Sequence, residues 1–126
     1  MARFISVIRK DISHTSGSPT AIITGSTNSS GIPASTYGVV LSILASNKNA
    51  NSQHVTVQLT KAGGTGSEVV GSLITSGIIP SQASLEFMTG NKMIVEPGDW
   101  IKAYSTAASS IDITISYMLN PQDTSI

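Results

Sequence analysis

Residues 111–119 alternate apolar and polar side chains: Ile111, Ile113, Ile115, Tyr117 and Leu119 fall at every second position, with Asp112, Thr114, Ser116 and Met118 between them. A period of two sends the first set to one face of an extended chain and the second to the other, the pattern of a half-buried strand. The same alternation runs through 54–60, where Val55, Val57 and Leu59 are predicted inward and Thr56, Gln58 and Thr60 outward. In 37–46 the better apolar set is Tyr37, Val39, Leu41, Ile43 and Ala45, which are expected to face the core. Residues 3–9 are apolar on both sides (Phe4 and Ile8; Ile5 and Val7), so that strand is expected to be buried or covered by a neighbour. Shorter runs rich in Ile, Val and Thr predict strands at 20–24, 69–75, 83–88, 92–95 and 100–105.

Turn chemistry separates these runs. Pro97-Gly98 sets the fixed φ of a turn's second residue and permits the positive φ of its third, which predicts a type II turn. Residues 28–36 and 47–52 read as polar loops, and Gly63-Gly64-Thr65-Gly66 is expected to close a hairpin between 54–60 and 69–75. A further hairpin is expected around 107–109, joining 100–105 to 111–119. No stretch carries a capped 3.6-residue period. The prediction is an all-β chain, an antiparallel two-sheet β-sandwich of about nine short strands with the jelly roll among its forms, as one domain over 1–119 and a polar tail over 120–126.

Composition adds an expectation about association. Of 126 residues, 11% are charged, seven basic against seven acidic, and Ser and Thr fill roughly a quarter of the positions. Hydroxyls defend a β-rich surface poorly against association, so edges and faces are expected to be covered by copies or partners. Arg3, Arg9 and Lys10 are the one basic cluster, too small to track phosphates, which excludes a nucleic-acid partner. The absence of cysteine excludes disulfides, thiolate catalysis and Cys-type zinc. No apolar run reaches the ~18 residues of a membrane-spanning helix and no signal-peptide core is visible, so a soluble product of the cytoplasm with no membrane partner is expected.

The chemistry-bearing residues do not converge. His14 and His54 show no metal-ligand spacing and read as surface histidines. Glu96 and Asp99 flank the Pro97-Gly98 turn, where a carboxylate bonds its own backbone rather than joining a catalytic pair. The 63–67 glycine segment joins two strands, and Lys61 precedes the glycines, so it is a turn and not a phosphate cradle. Asn28-Ser29-Ser30 matches a glycosylation acceptor without a secretion signal to support it. Trp100 and Tyr104 share one strand face with Lys102 between them, which suits packing in the core or between subunits or, as an alternative, a stacking platform for sugars or single-stranded nucleic acid. No catalytic, cofactor-binding or metal residue is assigned.

The segments Val55 to Leu59, Pro80 to Glu86, Gly90 to Lys92, Val95 to Asp99 and Ala107 to Tyr117 together resemble small β-sandwich virion proteins of tailed bacteriophages, particularly marine and cyanobacterial ones. The resemblance spans about 37–119. It implies a non-enzymatic structural subunit, present in many copies on the capsid surface, neck or tail, whose partners are other virion proteins and itself, and which resides in the virion. The candidate interface residues are Phe4, Ile5 and Val7 on the first strand, Trp100 and Tyr104, and the outward set Asp112, Thr114, Ser116 and Met118. The alternative expectation is a receptor- or glycan-binding module using Trp100, Tyr104 and the 47–52 loop.

Overall fold

A computed structural model describes residues 3–15, 19–24, 31–60, 71–87 and 93–121. Among them run nine strands: β1 (Arg3–Arg9), β2 (Thr20–Ile23), β3 (Thr36–Asn47), β4 (Gln53–Thr60), β5 (Gly71–Ile79), β6 (Ser84–Glu86), β7 (Met93–Val95), β8 (Trp100–Ser105) and β9 (Ile111–Pro121). They form two antiparallel sheets. The first is ordered β1-β9-β3, with β6 and β7 both pairing with β3; the second is ordered β2-β8-β4-β5. The pairing is nested: β1 with β9, β2 with β8, β3 with β6 and β7, β4 with β5. That is one long antiparallel ribbon rolled so that its halves face each other, the jelly-roll form of the β-sandwich, with β6 and β7 sharing the place of one strand.

The inner faces follow the period-two pattern closely along β9, where Ile111, Ile113, Ile115, Tyr117 and Leu119 are all buried. Opposite them lie Val55 and Val57 of β4 and Ile101 and Ala103 of β8. Burial pushes the Tyr117 phenol above its ordinary range, against the pull of Arg3 and Arg9. The Pro97-Gly98 turn is type II as expected: Gly98 has φ 90° and Asp99 N–H donates to the Glu96 carbonyl at 3.0 Å. Asp99 is fully buried, and its Oδ2 accepts the Glu96 N–H at 2.9 Å.

The structure corrects three expectations. In β3 a bulge falls between Val40 and Ser42, so Leu41 is an extra residue and the inward phase shifts across it. Gly38 and Val40 are buried before the bulge and Ile43, Ala45 and Asn47 after it, whereas Tyr37, Val39 and Leu41 are only partly buried. A Cβ at Gly38 would come within 2.9 Å of Ile32 Cδ1, so a larger residue there requires the buried Ile32 side chain to shift. Second, β8 and β9 are not a hairpin: they belong to different sheets, and residues 106–110 carry the chain from one to the other. Third, β1 is not buried within the domain, which covers it on one face only. Ile5 and Val7 pack against the core, while Phe4 and Ile8 are 72% and 59% exposed. The 63–67 segment and the Asn28-Ser29-Ser30 acceptor lie outside the described residues.

Candidate functional site

The antiparallel register of the first sheet arranges its outer face in rows that cross the strands. Phe4 of β1 stands beside Met118 of β9, Met118 beside Val39 of β3, and Val39 beside Ile94 of β7, giving one apolar row four strands wide. Two residues along, Ser6, Ser116 and Ser42 form a row of hydroxyls. Two further along, Ile8, Thr114 and Leu44 form a second, mainly apolar row that ends at Glu86 of β6. Ile94, like Phe4 and Ile8, exposes more than half of its surface. An outward face of an antiparallel sheet that meets water is ordinarily polar, and this row departs from that pattern.

The bulge at Leu41 is what builds this face. Without it, Val39 and Leu44 could not both point outward, because they lie an odd number of residues apart. The sequence singled out the β9 contribution (Asp112, Thr114, Ser116, Met118) and Phe4. It missed Ile8, Val39, Leu44 and Ile94, whose outward placement depends on the bulge and on which strands become neighbours. Ile5 and Val7 do not belong to the face; the alternation of β1 turns them inward.

The charges at the margin are neutralised locally. Asp112 Oδ1 accepts the Asp11 N–H at 2.9 Å and lies 3.0 Å from Lys48 Nζ, and Lys48 also pairs with Asp11. Burial alone raises the Asp112 carboxyl, but the Asp11 N–H and the Lys48 ammonium outweigh it and hold the carboxyl below its ordinary value. The same two carboxylates raise the Lys48 ammonium. Glu86 Oε1 accepts the Ile43 N–H at 3.2 Å.

The second sheet's outer face carries the other candidates. Trp100 and Tyr104 are half-buried, with Lys102 between them and its ammonium 4.7 Å from the centre of the Trp100 ring. Thr60 and Thr56 of β4 stand opposite Trp100 and Tyr104. The 47–52 loop is at the far end of β4 from Trp100, about 24 Å away at ~3.4 Å per residue over the seven residues from Thr60, opposite Trp100, to Gln53. The structure therefore does not bring Trp100 and that loop together. The loop has a structural task instead: buried Asn47 donates through Nδ2 to the carbonyls of Asn51, Ile79 and Pro80, and its Oδ1 accepts the Asn49 N–H.

No catalytic constellation forms among the described residues. His14 and His54 are exposed and belong to different elements. No cluster of metal-ligating side chains occurs among the described residues. A cleft of about 270 Å³ lies beside the ends of β1, β3 and β9, lined by Arg3, Pro33, Thr36, Leu119, Asn120 and Pro121. Its hydroxyl, Thr36 Oγ1, donates to the Pro33 carbonyl at 2.6 Å, and Arg3 is the one ionisable side chain in that lining, with no carboxylate or imidazole beside it.

The fold has a solved counterpart. It is similar to a Bacillus endospore appendage subunit, described as one of a novel family of disulfide-linked pili, with a TM-score of 0.52 and 12% identity over 98% of this chain and 88% of that one. At that identity the likeness shows the β-sandwich and nothing finer. No family model and no curated protein matches the chain. No helix of the described residues is long and apolar enough to cross a membrane.

Proposed function

We propose that this chain is a non-enzymatic structural subunit that works in multiple copies within a larger particle or filament. The observation that carries the reading is the outer face of the first sheet: a row in which Phe4 and Ile94 are exposed and Met118 and Val39 partly exposed among the described residues. A free-standing protein pays for such a face in solubility, whereas a subunit buries it. The pilus subunit of similar fold supports self-assembly as a use of this sandwich. That counterpart is described as disulfide-linked; the 126 residues of this chain include no cysteine, so they cannot form such a link. The strand β1 lies at the edge of its sheet and offers main-chain groups as a second contact.

The sequence resemblance to tailed-phage virion proteins supports a particle of that kind, with the subunit on the capsid surface, neck or tail. Mass spectrometry of purified phage particles produced from a genome encoding the chain tests the placement, with many copies per particle expected. Sedimentation velocity of the purified protein tests assembly: oligomers that grow with concentration are expected. A monomer up to millimolar concentration that is also missing from particles would overturn the proposal.

A further inference from the structure

Resting on that assembly reading, we infer that the outer face of the first sheet is covered by the same face of a second copy, the two related by a twofold axis that lies between them along the Ser6–Ser116–Ser42 row. Rotation about that row keeps each strand over its own counterpart and reverses its direction. The row two residues to one side of the axis then lands on the row two residues to the other side. Phe4 comes over Ile8 of the second copy, Val39 over Leu44, and Met118 over Thr114, as the register of β1, β3 and β9 dictates. Phe4 over Ile8 and Val39 over Leu44 match apolar with apolar on both sides of the axis, as an isologous contact requires, while Met118 meets Thr114 and Ile94 meets Glu86 at the margin.

The polar groups favour an identical partner over a different one. A hydroxyl is both donor and acceptor, so a serine row complements its own image, whereas a row of carboxylates or ammonium groups would repel it. A charged partner finds little to pair with: Asp112 is bound to Lys48 and to the Asp11 N–H, and Glu86 to the Ile43 N–H. The choice of axis follows from Asp112. A twofold along β9 would set Asp112 against its own copy, but one along the serine row places it over Asn120, because each lies four residues from Ser116.

The area fixes the strength. Four strands at ~4.8 Å spacing and seven residues at ~3.4 Å give a face of about 460 Å² in projection, or about 900 Å² for the pair. Stable interfaces bury about 1,200–2,000 Å² in total, so this contact is weak in isolation and becomes effective when repeated in an array.

Opposite charges at the axis provide the test. Ser116→Asp and Ser116→Lys proteins should each self-associate at least ~10-fold more weakly than the parent by sedimentation equilibrium, and a one-to-one mixture should recover the parent's affinity. Recovery on mixing requires Ser116 to face Ser116. If the parent associates but the single variants associate equally well, or the mixture fails to recover, the face-to-face contact is wrong while the assembly reading stands. If the parent does not associate at all, both fall. Ser6→Asp and Ser6→Lys repeat the test at an exposed position on the same axis should the Ser116 variants not fold. Phe4→Ser should weaken association without moving the unfolding midpoint, and unchanged association would count against the contact.

Discussion

Asn47 shows how much one side chain can hold. It ends β3 buried, and its amide gathers the carbonyls of Asn51, Ile79 and Pro80 while taking the Asn49 N–H. Asn47→Asp keeps the shape but sets a carboxylate against three carbonyl oxygens. It should cost roughly 2–4 kcal/mol in denaturant unfolding, through unpaired acceptors and a buried charge. In sequence the residue is one more asparagine in a polar loop; its burial depends on β5 ending beside it, which no local pattern announces. Asp112 works in the opposite direction. Its carboxyl titrates below the ordinary value of 3.8, so the stability it adds is present above that value and is lost as pH falls through the lower, folded one. Asp112→Asn keeps an acceptor for the Asp11 N–H and gives up the Lys48 pair. It should cost less than about 1 kcal/mol at neutral pH and flatten the stability profile below pH ~4, as acid titration followed by circular dichroism would show.

Among the elements, β9 and β3 mark the limits of what alternation reveals. The phase of β9 was legible throughout because no bulge interrupts it, and the type II turn at Pro97-Gly98 was legible because its chemistry is local. The phase of β3 was legible only after residue 42. One extra residue at Leu41 turns Val39 outward and Val40 inward, and a uniform period cannot see an insertion at the end of the apolar run Val39-Val40-Leu41. The contrast is measurable. Val40→Thr buries a hydroxyl and should cost about 1–3 kcal/mol, while Val39→Thr should stay within about 0.5 kcal/mol in the same urea titration. The reading from uniform alternation assigns these two effects the other way round. Much the same holds for the candidate surface: its β9 column was visible in the sequence, but Val39, Leu44 and Ile94 join it only through sheet order and register.

For the whole molecule, the uncovered face predicts how association responds to solution conditions. With its carboxylates already paired, self-association should change less than about threefold between ~0.05 and 0.5 M sodium chloride, and should strengthen in sulfate, which favours burial of apolar surface. A steep loss of association with salt in sedimentation runs would place the contact on a charged surface instead. The nested pairing has a consequence in time as well as in space. β1 leaves the ribosome first, yet its partner β9 starts about a hundred residues later, roughly 5–20 s at ordinary elongation rates. During that interval Phe4, Ile5, Val7 and Ile8 have no sheet to join, so the first sheet closes only once the last strand is made. A nascent chain arrested short of residue 111 should therefore show no protected amides in β1 by hydrogen exchange.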